Sequence, residues 1–132
     1  MTYENYAVAT LVFGPTDIFP MIMNLKGSSV LYWKFPEGRG KEGEAPEETA
    51  IRKVKEETGL IIKDRIALLA KRTRKTHVLY FFLAQTESFD TLIEQGEHGE
   101  YVEMFTEGGI LRNRTFFGLH REFLEQIRDK YP

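Results

Sequence analysis

The run from Gly38 to Leu60 limits the fold more than any other part of this chain, because it encodes a loop and a helix whose junctions can be read from residue type. Glu37-Gly38-Arg39-Gly40-Lys41-Glu42-Gly43-Glu44 is polar and dotted with glycine, so it reads as a loop with unusual backbone angles. Pro46 suits the first turn of a helix, Glu47 and Glu48 complement the positive end of its dipole, and Gly59 suits the C′ position. The helix is therefore expected over Pro46 to Thr58. Ala50, Ile51 and Val54 fall on one side of it, while Arg52, Lys53, Glu56 and Glu57 populate the rest. Such a helix rests one face on a sheet.

The flanks supply that sheet. Tyr6 to Phe13 is rich in β-branched and aromatic residues and stops at the turn Gly14-Pro15-Thr16-Asp17, and a second strand is expected from about Ile18 to Leu25. Lys26-Gly27-Ser28-Ser29 marks a loop, and Val30 to Phe35 is a short apolar run ended by Pro36. Leu60 to Ile62, Ile66 to Ala70, Val78 to Ala84 and Tyr101 to Phe105 read as further strands, with Lys71 to Lys75 a basic hairpin tip or strand end. Phe116, Leu119, Phe123 and Ile127 give Thr115 to Tyr131 the spacing of a closing amphipathic helix. Strands on either side of a central helix, with a second helix closing the chain, predict an α/β domain with helices on both faces of a mixed sheet.

Composition narrows the chemistry. A chain of 132 residues fits one domain spanning 1–132. With no cysteine, a disulfide framework, a thiol nucleophile and Cys-ligated metal sites are excluded. Lys+Arg 18 against Asp+Glu 20 leaves a net charge of -2, which gives no general field for extended nucleic acid or an anionic membrane. No apolar run approaches a bilayer span and the N-terminus lacks a signal-peptide pattern, so a soluble cytoplasmic protein without a membrane partner is expected, either monomer or homodimer.

Between Gly38 and Leu60 stand Gly38, five residues, Glu44, seven residues, then Arg52-Lys53-Val54-Lys55-Glu56-Glu57-Thr58-Gly59-Leu60. This resembles the Nudix box, and every specified position matches except the one that holds Lys53. The resemblance implies a Nudix-like α/β/α sandwich with a mixed β-sheet between helices. It also implies a metal-dependent hydrolase of a nucleoside diphosphate linked to another moiety, with a small nucleotide as substrate and Mg²⁺ or Mn²⁺ as cofactor. Glu56, Glu57, Glu44 and Gly38 are the candidate metal residues that it implies. Hydrolysing a phosphoanhydride requires charge neutralisation and a positioned water, for which divalent ions on hard carboxylate oxygens are suited. Arg52 and Glu56 are four apart on the helix, so the guanidinium is expected to fork onto Glu56 while Glu57 faces the metal. Taken alone, the same residues describe a solvated helix face laced with i,i+4 pairs.

Lys53 departs from the family pattern, which carries Glu there as metal ligand or base, and Lys41 likewise stands where an acid is usual. An ammonium binds no Mg²⁺ and is a poor base near neutral pH, so a catalytically impaired nucleotide-binding or regulatory domain stands as the alternative. Compensation is expected from Gly96-Glu97-His98-Gly99-Glu100, where Glu100, or else Glu97, is the candidate base; a solvated acidic loop is the other reading. The catalytic set is then Glu57, Glu100, Glu97 and Arg52.

Phe35-Pro36-Glu37-Gly38-Arg39 looks like the corresponding segment of dinucleoside polyphosphate hydrolases and RNA 5′-pyrophosphohydrolases. Arg39, Lys53, Arg74 and Tyr80 are the candidate substrate contacts: Arg74 from the basic run Lys71 to Lys75, which either binds distal phosphates or is a solvated hairpin tip, and Tyr80, alternating with Phe82 along a strand, to stack on a base or simply to fill the core.

Overall fold

A computed structural model describes residues 5–24, 31–63, 65–96 and 100–130. Strand β1 (Tyr6–Phe13) is buried on both faces, which is why it reads as a nearly continuous apolar run. It pairs in parallel with β6 (Val78–Gln85) and antiparallel with β4 (Glu37–Arg39), and β6 pairs antiparallel with β5 (Ile66–Thr73). The order β4-β1-β6-β5 makes this the expected mixed sheet. A second, antiparallel sheet in the order β3-β2-β7 is built from β2 (Ile18–Asn24), β3 (Tyr32–Lys34) and β7 (Val102–Thr106). Pro36 lies between β3 and β4 and separates the strands that go to different sheets.

Alternation along β1 divides the core. Ala7, Ala9 and Leu11 join Leu79 and Phe81 against Phe19 and Met21 of β2 and against Ile110, Phe123 and Leu124, carried by α2 (Glu107–Leu111) and α3 (Gly118–Lys130). Tyr6, Val8 and Val12 face the other way, toward Ala50 and Val54 of α1 (Pro46–Thr58). The mixed sheet thus lies between α1 on one face and the second sheet with α2 and α3 on the other. Among the described residues, no helix is long and apolar enough to cross a membrane.

Three expectations change. Glu37-Gly38-Arg39 forms β4, because β1 offers it a ladder edge that nothing local in the segment reveals. Leu60 to Ile62 form no strand: the apparent alternation arises because Leu60 and Ile62 pack against Val12, Val54 and Ala84 while Ile61 stays exposed. Helix α2 is unforeseen, since Gly108 and Gly109 disfavour a helix, but Thr106 Oγ1 caps it by accepting the Gly109 N–H at 3.0 Å.

Candidate functional site

The site is organised by the outer edge of β4, which has no neighbouring strand among the described residues. An edge strand leaves backbone donors and acceptors open, and here α1 side chains cover them. The Glu37 N–H donates to Glu57 Oε1 at 2.8 Å, and Arg52 Nη2 donates to the Arg39 carbonyl at 3.1 Å. Gly38 makes this approach possible: a Cβ there would fall 2.3 to 2.8 Å from Lys53 Cε, Cδ and Cγ. Its role is close contact and not an unusual angle, for among the described residues the glycines with positive φ are Gly43 (82°) and Gly59 (78°).

Arg52 is the clasp between helix and loop. Its fork falls on Glu44, with Nε to Oε2 at 2.8 Å and Nη2 to Oε1 at 3.0 Å, while Nη1 alone reaches Glu56 at 3.2 and 3.3 Å. The expected fork onto Glu56 is therefore displaced to Glu44, which the loop brings opposite the planar edge of the guanidinium. Glu44 also accepts from Thr49 Oγ1 at 2.5 Å and from the Lys41 N–H at 3.1 Å. Arg52 above all, with Thr49 and the Lys41 amide, holds the Glu44 carboxyl down at about 2 against the penalty of burial. Lys53 Nζ lies 3.2 Å from Glu56 Oε2. Burial would raise the Glu56 carboxyl, but Lys53 and Arg52 hold it below its ordinary range.

Glu57 is buried, and burial pushes its carboxyl up to about 7 against the pull of Lys53 and Lys34. Glu100 is buried nearby: a Cβ on Gly96 would lie 2.7 Å from Glu100 Oε2 and 3.3 Å from the Glu57 carbonyl oxygen. Glu97 lies outside the described residues.

On the other side of β4, Glu37 and Arg39 help line a cavity of about 300 Å³ with Lys34, Arg74, His77 and Phe117. Its cationic character is felt by His77, whose imidazole is pushed down by burial and by the charges of Arg39 and Arg74. Arg39 and Arg74 thus meet in one cavity, whereas Lys53 lies on the α1 side. Tyr80 also faces α1, edge-on to Tyr6 with ring centroids 5.7 Å apart and with Lys71 Nζ 5.3 Å from its own centroid. Lys34, Glu37 and His120 escape sequence reasoning. Lys34 and Glu37 join the site only through the strand pairings, and His120 reaches it from α3.

The donor set suits a divalent cation in a particular way. Glu56 and Glu57 supply hard carboxylate oxygens, yet among the described residues no three Asp, Glu or His side chains converge as a ready-made cage. One or two carboxylates completed by water and substrate phosphates is the usual environment of Mg²⁺.

Comparison with known proteins returns a match to the family profile described as NUDIX domain over residues 6–127. Comparison with curated proteins yields no match. Solved structures that share the fold include one from a study of MutT of Aliivibrio salmonicida and Vibrio cholerae, with TM-score 0.79 and 18% identity over 98% of this chain and 100% of that one. A NUDIX-family hydrolase from Clostridium perfringens has TM-score 0.73 and 15% identity over 99% and 100% of the two chains. The E. coli ORF135 protein has TM-score 0.72 and 15% identity over 98% and 94%.

Proposed function

This chain belongs to the NUDIX family, a family of pyrophosphohydrolases that generally use divalent metals, and we propose that its substrate is a nucleoside diphosphate linked to another moiety, with dinucleoside polyphosphates favoured. The observation that carries this reading is the Glu56-Glu57 pair at the end of α1, locked by Arg52 to the Glu44 loop and by the Glu37 amide to β4. In this proposal Glu56 and Glu57 hold Mg²⁺ or Mn²⁺, with Glu44 and the Gly38 backbone as further candidates. The ion supplies charge neutralisation at the phosphoryl oxygens.

The protein's own groups do the rest. Arg39 and Arg74, which share the cationic cavity, bind phosphates beyond the scissile bond, and Lys53 is close enough to the carboxylates to meet another phosphate oxygen. Glu100, beside the last turn of α1, takes the proton from water as it attacks phosphorus in line, and Glu97 is the neighbouring candidate. The leaving group is a nucleotide or phosphate. Arg52 orients the carboxylates and does not react. We assign the protein to the cytoplasm, as suits a chain without cysteine, as monomer or homodimer.

A second reading, a nucleotide-binding or regulatory domain with impaired catalysis, draws on the Lys53–Glu56 ion pair at 3.2 Å, which sets an ammonium where the family collects metal. A screen of nucleoside diphosphate derivatives with Mg²⁺ and Mn²⁺, scored by released phosphate and mononucleotide, tests both. Metal-dependent release of either product supports the hydrolase; tight nucleotide binding without release supports the binding domain.

A further inference from the structure

His120 is fully buried on α3, yet both nitrogens of its ring point at the strands of the site. Nδ1 accepts the Phe35 N–H at 3.0 Å, so the ring proton of the neutral imidazole must sit on Nε2. Nε2 makes no hydrogen bond of ordinary length among the described residues; it is aimed at Glu37 Oε2 at 3.4 Å. The ring cannot turn away from this line. It stacks on Phe35 with centroids 5.1 Å apart and meets Phe81 and Phe117 edge-on at 5.7 and 4.9 Å.

Glu37 is the residue these contacts converge on. Its Oε1 receives Lys34 Nζ at 3.1 Å, its Oε2 faces His120, and its backbone N–H holds Glu57 Oε1 at 2.8 Å. Its side chain lines the cavity while its amide faces α1, so a displacement of residue 37 is felt at both places. His120 meets this short segment at two points, a hydrogen bond from the Phe35 amide and a 3.4 Å approach to the Glu37 carboxylate, on either side of Pro36 between β3 and β4.

We propose that His120 is a positioning residue for the reaction: by holding the Phe35 amide and the Glu37 carboxylate it fixes the Glu37 amide on which Glu57 rests. This rests on the hydrolase reading only in taking Glu57 as a working carboxylate. His120 is fully buried and acts through Phe35 and Glu37, so its part is to position and not to react. Its removal loosens Glu57 without deleting any charge at α1, and such outer contacts typically contribute about 10- to 100-fold to activity or metal affinity.

The test compares His120→Leu, His120→Gln and Glu37→Gln with the intact protein, reading the Glu37 amide proton resonance by NMR, kcat and KM. The Glu37 amide, donating to a carboxylate, resonates downfield in the intact protein, and Glu57→Gln identifies that bond by moving it. His120→Leu is expected to shift the same resonance and lower kcat about 10-fold or more, with a much smaller change in KM. His120→Gln, whose amide can accept from Phe35 and donate to Glu37, restores most of both. If His120→Leu fails to fold, Glu37→Gln at the half-buried cavity wall is the decisive variant, expected to move the amide resonance and lower kcat in the same sense. An unmoved amide resonance in the folded variants, or a loss confined to KM, overturns the proposal. Turnover with an unmoved resonance sinks the positioning role and leaves the hydrolase standing. A resonance that moves as expected in a protein that turns over no nucleotide upholds the positioning contact and sinks the hydrolase.

Discussion

The main-chain N–H of Glu37 donates to the Glu57 carboxylate at 2.8 Å, so one backbone group ties α1 to the strand that lines the cavity. The bond resolves two local problems together. An edge-strand donor gains an acceptor, and a buried carboxylate gains a fixed orientation.

Glu57→Gln keeps an acceptor oxygen for the Glu37 amide and removes only the charge. Metal-dependent turnover is expected to fall about 100-fold or more while the fold persists, since the variant no longer buries an ionisable group. Near wild-type turnover with an unchanged melting curve would remove Glu57 from the site.

The same burial makes stability depend on pH. The Glu57 carboxyl is raised to about 7 in the folded protein from its ordinary 4.5, so the folded state binds the extra proton between these values. Its contribution is present below the unfolded value and is lost as pH rises through about 7. In metal-free protein, thermal melts should show this decline, and Glu57→Gln should abolish it.

Glu44 and Glu37 titrate in the opposite sense. Both are held at about 2, Glu44 mainly by Arg52 and Glu37, despite burial, by His120 and Lys34. Their contributions are present above the unfolded value of 4.5 and disappear as pH falls toward 2. Urea midpoints between pH 5 and pH 2 should drop less steeply in Glu44→Gln than in the intact protein, and equal slopes would contradict the Arg52–Glu44 clasp.

Arg52→Lys is not conservative here, because an ammonium cannot serve Glu44, Glu56 and the Arg39 carbonyl together. Arg52→Lys and Arg52→Ala should both destabilise, the alanine by about 2 kcal/mol after allowance for partial exposure of the pair. Amide exchange should rise in the loop around Glu44 in either variant. Denaturant unfolding together with exchange measures both effects.

Lys53 and Gly38 should behave as a coupled pair. Gly38→Ala drives a methyl into the Lys53 stem, which is flexible and gives way, so the cost is about 1 kcal/mol and shrinks when Lys53 is also alanine. Lys53→Glu should tighten Mn²⁺ by replacing an ammonium 3.2 Å from Glu56 with a carboxylate. For a hydrolase that draws its base from Glu100 the rate then changes modestly, whereas for an impaired domain it rises by orders of magnitude. Unaltered Mn²⁺ affinity would place Lys53 outside the metal environment.

What the sequence determined by itself lies within short spans of chain. Pro46 and Gly59 bound α1, the acids of its first turn suit its dipole, and the spacing of Arg52, Glu56 and Glu57 puts them together, because helix geometry converts sequence separation directly into position. The strand character of β1 follows as directly from its nearly continuous apolar run. Tertiary structure alone decided which of these groups are already engaged. Glu44 takes the Arg52 fork because the Gly43 turn brings it there, Glu57 meets the Glu37 amide because β4 pairs with β1, and His120 reaches Phe35 and Glu37 from the far end of the chain. Strand pairing and helix docking bring together residues whose separation along the chain carries no local signal. The partners of a polar group in the sheet therefore emerge only once the ladder and its covering helices are in place.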